Sequence, residues 1–438
     1  MRLLIKKGTI VNSDITFISD VLVEDGKIIN IKNNIQPESL SDKIIDATDC
    51  YIMPGGVDPH VHMHLPSPAG FSSDDFYTGS NAALQGGTTT IIDFVTPQKG
   101  QSLSDAIGQR KLEAAKSLTN TYFHVSPIEW RESMEEEIIK SFDDGFKSFK
   151  VYMAYKSSIG LNDDVLLKVM KAVSKAGGIV TVHCELGDDI DELRDKYAQE
   201  GKLTPEYHPL SRPNKYEAEA VKKAIELAKE ANCPIYIVHV STNESLKYIK
   251  EAQANKQVVY AETCHQYLLL DDSKYIGDFK QTAPYVMSPP LRKKKDNDSL
   301  WLAIANGTIK TIGTDHCPFT LKQKETGKKD FRFIPNGAGG VEHRLALLYT
   351  YGVLENKISI NEFVALTSTN AAKIFGLFPA KGIIEVGSDA DIVIWEKQKE
   401  NTISVTTHHQ NCDINIYEGI KTIGYPKHVI IGGDIYHK

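Results

Sequence analysis

Tyr51-Ile52-Met53-Pro54-Gly55-Gly56-Val57-Asp58-Pro59-His60-Val61-His62-Met63-His64 is an apolar run broken by a Pro-Gly-Gly turn and followed by three histidines at alternate positions. In an extended strand, side chains two residues apart point to the same side. His60 and His62 would then present two imidazoles to one point in space, as a metal ion needs. His64 continues the row if the strand stays regular. One His-x-His does not make a metal site, because a strand-end histidine is more often a hydrogen-bonded core residue. The reading turns on whether the chain supplies more ligands, in an architecture that brings them together.

Outward from this stretch, apolar runs alternate with amphipathic ones. After the run near 52–62 come Thr89–Val95, Thr121–Val125, Phe146–Tyr152, Gly178–His183, Pro234–His239, Gln257–Glu262 and Ile309–Asp315. Between them lie helical patterns, among them Leu103 to Leu118, Asp164 to Ala176, Lys215 to Ala231 and Glu244 to Ala254. Eight strands alternating with helices imply an α/β protein built on a (β/α)8 TIM-like barrel. Near-continuous hydrophobic strands fit a parallel sheet covered on both faces.

The ends have a different texture. Residues 1–50 read as short antiparallel strands: Leu3-Leu4-Ile5 up to Gly8, Thr9-Ile10-Val11, Val21-Leu22-Val23, and Ile28 to Ile31 after an Asp25-Gly26 hairpin. Gly382–Val386, Ile392–Trp395 and His428–Gly433 repeat that texture. The expectation is one small β-sandwich domain made from residues 1–50 and 379–438, flanking a barrel over 51–378.

The chain is 438 residues long, 41% hydrophobic and 24% charged, enough for a large core. Its net charge of -7 argues against nucleic acid as a partner. Arg292-Lys293-Lys294-Lys295 is followed at once by Asp296 and Asp298 and reads as a solvated loop. The six cysteines show no Cys-x-x-Cys spacing, so reduced thiols are expected. No signal peptide and no membrane span is expected, which points to a cytoplasmic protein.

Barrel active sites lie at the C-terminal ends of the strands. Strand one ends in His60 and His62, strand four near Lys150, strand five in His183, strand six in His239 and strand eight in Asp315. Each could be an ordinary core, cap or turn residue, but five such ends share one rim. Lys150 is the odd member, since a buried unpaired ammonium is costly. A carbamate formed from its amine and carbon dioxide resolves this. N6-carboxylysine is an anionic oxygen ligand able to bridge two divalent ions roughly 3.5–4 Å apart. Imidazole and oxygen ligands suit zinc, with manganese, cobalt or nickel possible. His60, His62 and Asp315 would hold one ion and His183 and His239 the other, with the carbamate between.

This set resembles the binuclear branch of the amidohydrolase superfamily. Longer stretches resemble its hydantoinase/dihydropyrimidinase group: Ser148–Lys156, Val182-His183-Cys184-Glu185, Tyr285–Arg292, Gly313–Phe319, Ile334-Pro335-Asn336-Gly337 and Thr407–Asn411. The resemblance implies opening of cyclic ureides and imides, such as dihydropyrimidines or 5-monosubstituted hydantoins, at a ring amide. A metal-acidified water would attack the ring carbonyl, and Asp315 would carry its proton to the leaving nitrogen. It implies that Tyr155 hydrogen-bonds the developing oxyanion. It also implies that main-chain groups at Ser288 and Asn336 hold the ureide, and that Met63, Leu65 and Tyr152 sit beside the ring substituent. A homotetramer or homodimer is implied as well, although the chain ends at Lys438, soon after its last expected strand, where group members often carry a further tail. His408 and His409 are assigned no metal.

Two positions depart from the group. His64 stands where an Asp is usual, and His265 where a Pro is expected. Dihydroorotase carries an Arg and allantoinase an Asn at the position of His64, so neither pattern matches. Allantoinase or another cyclic-ureide hydrolase remains the alternative within the superfamily, and a non-catalytic dihydropyrimidinase-like scaffold the alternative outside catalysis.

Overall fold

The computed structural model describes residues 2–39 and 42–437. The N-terminal strands are β1 (Arg2–Val11), β2 (Thr16–Glu24), β3 (Lys27–Lys32), β4 (Lys43–Asp46) and β5 (Cys50–Pro54). Asp25-Gly26 makes the expected tight turn between β2 and β3, with φ of 48° and 79°. Gly8 does not end a strand. β1 runs through it with a shift of register between Ile5 and Gly8, and Lys7 sits at φ 61°. On either side of this bulge β1 changes partner, from β4 at Leu3–Lys6 to β5 at Thr9–Ile10.

The barrel strands follow: β6 (Gly56–Asp58), then, after a small hairpin of β7 (Pro66–Ser67) and β8 (Gly70–Phe71), β9 (Thr88–Val95), β10 (Asn120–Val125), β11 (Ser148–Tyr152), β12 (Ile179–His183), β13 (Ile235–Ile237), β14 (Val259–Cys264) and β15 (Thr311–Gly313). β6 and β9–β15 are parallel neighbours in sequence order. Every residue of β9 is buried, as a strand covered on both faces requires. Helices Leu103–Glu113, Asp163–Ala176, Asn214–Glu230 and Asn243–Ala254 supply the outer layer near where the periodicity places them.

The opening run divides differently from expectation. Tyr51–Pro54 belongs to β5, which pairs with β1 and with the C-terminal strand β16 (Ile392–Thr402), so the boundary expected after residue 50 falls inside a strand. The barrel strand is only Gly56–Asp58. β16, β17 (Lys421–Ile431) and β18 (Asp434–His437) complete one terminal sheet in the order β18-β17-β16-β5-β1-β2-β3, with β4 beside β1. This sheet encloses its own core of Leu3, Ile5, Ile10, Val21, Ile52, Ile392 and Ile430. Gly382–Val386 is not a strand. Its backbone is held by a side chain instead: Asn12 Nδ2 donates to Ile384 O and Asn12 Oδ1 accepts the Ile384 N–H.

The short first and last barrel strands leave a seam that ladder bonds alone do not close. Arg344, fully buried, spans it by donating from Nη1 to Val57 O on β6 (3.0 Å) and to Ile312 O on β15 (2.9 Å). Asp58 accepts from the Thr314 hydroxyl (2.7 Å). Beyond the strand ends, the Asp315 N–H donates to His60 O (2.9 Å) and the His62 N–H to His316 O (2.8 Å). Closing the barrel is therefore what sets His60, His62 and Asp315 side by side.

Candidate active site

The first group forms at that seam. His60 Nε2 and His62 Nε2 lie 3.2 and 3.1 Å from one oxygen of Asp315. One ligand-type atom from each of these residues lies within 4.8 Å of the others. His60 Nδ1 is 2.8 Å from Glu262 Oε1. A carboxylate only accepts, so Nδ1 carries a hydrogen and Nε2 is the nitrogen left to serve the group, protonated toward Asp315 or, without that proton, as a metal ligand. Burial alone would depress the His60 pKa, but the Asp315 and Glu262 carboxylates outweigh it and hold it up at about 9. Burial opposes the Asp315 charge too, yet the two imidazoles keep its carboxyl well below the usual range. His62 and Asp315 retain 12% and 17% of their side-chain exposure while His60 has 1%, so the site opens on their side.

His183 ends β12 and His239 stands two residues past β13, as expected. His239 Nε2 meets His183 Nδ1 at 2.9 Å, and the His60 and His239 rings stack at 5.4 Å. His183 Nε2 donates to Glu185 Oε2 (2.8 Å), and Glu185 is paired with buried Arg212 (2.6 Å). This pairing fixes the His183 tautomer with Nδ1 turned inward. Lys150 lies in the middle of β11, not at its end. Its ammonium is buried against ring faces, 4.8 Å from the centre of Phe94 and 5.0 Å from that of Tyr152, and among the described residues it has no ion-pair partner. Burial pulls its pKa down to about 8.

Tyr155, Ser288 and Asn336 also come together, although they are far apart in sequence. A hydrogen bond links the Tyr155 and Ser288 side chains, and Asn336 Nδ2 donates to Ser288 Oγ (3.1 Å). The Tyr155 ring is 5.2 Å from that of His183, and burial pushes its phenol up to about 12, which keeps the hydroxyl a donor at neutral pH. Tyr152 packs edge-on to Tyr155 at 6.2 Å. Leu65 is half-buried, and its N–H donates to Ser72 Oγ at the start of the segment returning from the β7–β8 hairpin. Met63 is fully buried, with its sulfur against Gly79 of helix Phe76–Gln85. His64 does not extend the histidine row. Its backbone turns at φ 49° and its ring stacks on Phe71 at 3.9 Å.

The carboxylates that orient the histidines were not singled out by the sequence reading. Glu262, inside β14, accepts from His60 Nδ1, from the His239 N–H (3.1 Å) and from the Tyr236 hydroxyl (2.8 Å). Its signal in the sequence is weaker than that of Lys150, because Glu262 closes its apolar run. Asp93 and Arg110 are a second such pair. Asp93 takes the Met63 N–H (2.7 Å) and Arg110 donates to Met63 O (2.5 Å), fixing the chain just after His62. His409 is engaged by Glu342 and His408 by Cys412 O. His265 stacks on Tyr417 at 5.0 Å.

The donor set fits a divalent metal. His60 Nε2 is a buried ring nitrogen turned toward Asp315 and His62, and its opposite nitrogen is locked by a carboxylate. Fold and site together define a parallel α/β barrel protein with a metal-type donor cluster at the C-terminal rim. Residues 51–436 match the Amidohydrolase family. D-hydantoinase from Ralstonia pickettii is 43% identical over 437 residues, covering 99% of this chain and 95% of that protein. Dihydropyrimidinase from Rattus norvegicus is 42% identical over 444 residues, covering 100% and 86%. The crystal structure of dihydropyrimidinase from Brevibacillus agri NCHU1002 superposes with a TM-score of 0.98 at 41% identity, covering 100% and 95%. The chain belongs to the amidohydrolase family, in its hydantoinase/dihydropyrimidinase group. That family is metal-dependent, and His60, His62 and Asp315 form a possible metal-binding group here.

Proposed function

We propose that this cyclic amide hydrolase opens 5,6-dihydropyrimidines, 5-monosubstituted hydantoins or both to N-carbamoyl amino acids. The observation that carries the reading is convergence: His60, His62, Asp315, His183 and His239 meet at one barrel rim beside the linked Tyr155, Ser288 and Asn336. His60, His62 and Asp315 would hold one divalent ion, His183 and His239 a second, and Lys150, as its carbamate, would bridge them. The lowered Lys150 pKa supports the last assignment, since only a neutral amine attacks carbon dioxide. Zinc suits this nitrogen and oxygen donor set best. When bound, the ions would acidify a water and polarise the scissile carbonyl.

The chain's own residues do the rest. Main-chain groups at Ser288 and Asn336 hold the ureide, which fixes the ring with its scissile amide toward the histidines. Asp315 takes the proton of the attacking water at its carboxylate and delivers it to the leaving ring nitrogen. The Tyr155 hydroxyl, kept protonated, donates to the carbonyl oxygen as charge develops there. Tyr152 and Leu65 flank the ring substituent. In the same reading the enzyme works in the cytoplasm, which its six free cysteines support. It also self-associates; exposed Ile18 and Ile44 on the terminal sheet, with Ile15 just before β2, support this. No helix among the described residues is long and apolar enough to cross a membrane.

The test is a substrate panel with metal-loaded protein, read by loss of ring-amide absorbance. Dihydrouracil or a 5-monosubstituted hydantoin should be opened faster than dihydroorotate or allantoin. Faster opening of either of the latter, or no opening at all, would overturn the assignment.

A further inference from the structure

Lys324 is fully buried and far from any carboxylate pairing in the described contacts, yet it is completely satisfied. Its ammonium donates to Val286 O (2.8 Å), Pro335 O (2.7 Å) and Gly337 O (2.8 Å). Three hydrogens meet three carbonyls, the largest number one ammonium can serve. The carbonyls belong to two separate segments. Val286 stands two residues before Ser288, and Pro335 and Gly337 flank Asn336 on both sides. The segments also touch directly, through the Gly337 N–H to Val286 O (3.0 Å) and Asn336 Nδ2 to Ser288 Oγ (3.1 Å). Lys324 ends the short helix Leu321–Lys324, whose capping box at Thr320 and Gln323 fixes it. That helix lies in the loop that begins with Asp315, so one loop carries both this cation and the acid–base residue.

Burying a cation is costly, and burial pulls the Lys324 pKa down to about 7, against which the three carbonyls favour the charged form. A loop junction could be built from neutral groups alone, so a cation placed under this one implies a demand for exact spacing. We propose that Lys324 is a positioning residue for substrate recognition. It sets the separation of the main chain at Ser288 and Asn336, and through it the grip on the ureide. The proposal rests on the roles given above to Ser288 and Asn336.

The test compares wild type, Lys324→Met and Lys324→Gln, all metal-loaded, on whichever of dihydrouracil or a hydantoin the wild type opens. Gln keeps donors to some of the carbonyls; Met keeps only length. KM should rise about tenfold or more in Lys324→Met, the scale of one lost charge-assisted hydrogen bond, and less in Lys324→Gln. In both variants kcat should stay within about threefold and metal content should not change. A lowered unfolding temperature with KM unchanged would make Lys324 a stability residue and overturn the proposal. So would failure of both variants to fold. If Met alone fails to fold, the KM of Lys324→Gln decides in the same way. A wild type inactive on every ring would instead defeat the functional reading, a separate result.

Discussion

Glu262→Gln isolates what a carboxylate behind a histidine does. Glu262 is fully buried on β14. Oε1 accepts from His60 Nδ1 (2.8 Å) and the His239 N–H (3.1 Å), and Oε2 accepts from the Tyr236 hydroxyl (2.8 Å). Glutamine has the same shape. Its carbonyl oxygen can keep both nitrogen donors, and its amide can donate to the Tyr236 oxygen. Tyr236 then turns its hydrogen to Thr311 Oγ1, 2.6 Å away. The second amide hydrogen and the Thr311 hydroxyl hydrogen must find new partners; apart from that, the variant removes a charge and little else. A hydrogen bond to a charged group contributes ~1.5–3 kcal/mol and a neutral one ~0.5–1.5, so the His60 bond weakens by about 1–1.5 kcal/mol. That is about tenfold in an equilibrium constant. Outer-shell partners of metal-ligating histidines typically contribute about 10–100-fold in affinity. The two routes overlap at a loss of roughly tenfold.

The assay is a Zn(II) titration of chelator-stripped protein against a chromogenic competitor, followed by activity at saturating metal. Kd should rise by that factor, and most of the activity should return at saturation because Asp315 and Tyr155 are untouched. Apo-protein stability should fall by no more than about 1.5 kcal/mol, the weakening of the His60 bond itself. An unchanged Kd would refute the orienting role of Glu262. A large loss of apo stability would refute the premise that the substitution is isosteric.

The remaining predictions concern Lys150 and Tyr155. Lys150→Ala should lose activity and the second equivalent of bound metal, with partial recovery on adding short carboxylic acids that stand in for the carbamate; full activity in the mutant sinks the bridging role. Reconstitution of apo protein with bicarbonate and metal should follow the neutral amine. Because the Lys150 pKa of about 8 lies below the ordinary 10.5, the rate at constant dissolved carbon dioxide should fall about tenfold per unit below pH 8 and level off above it, and a rise continuing to pH 10 would contradict this. Tyr155→Phe should lower kcat about 10²–10³-fold with KM little changed, as loss of an oxyanion donor does; equal effects on both would mean that it binds substrate instead.

The barrel could be read from the sequence because parallel strands covered on both faces are apolar almost throughout, and eight such runs survive any error in their ends. Where the reading missed, the physics was non-local. Tyr51–Met53 is as apolar as a barrel strand, and only its pairing with β1 and with β16, where Ile52 meets Ile394 from 342 residues away in sequence, decides its sheet. Arg344 carries no local sign that its guanidinium closes a seam. Lys150 stood out among Phe149 and Val151, whereas Glu262 ends its apolar run and passed for a boundary. The strand-end histidines and Asp315 needed no contact information, because fold class alone sends strand ends to one rim.

Backbone strain at that rim argues for function independently of similarity. Asp315 (φ 53°), His239 (φ 39°) and Tyr155 (φ 59°) all occupy the left-handed region, which glycine takes without penalty and other residues visit at a cost of about 1–2 kcal/mol each. Each stands two or three residues past the end of its strand. There the chain must turn sharply, and the positive φ swings the side chain back across the barrel mouth instead of outward along the strand. Glycine would relieve the strain and lose the chemistry. The strain is held by bonds the fold supplies: the Asp315 N–H to His60 O, the His239 N–H to Glu262, and three N–H groups, from Ser158, Ile159 and Gly160, on Tyr155 O. Three non-glycine residues kept in costly conformations, each braced by specific partners and each aimed at one point, are what a preorganised site requires and what a scaffold freed from catalysis would have no reason to keep.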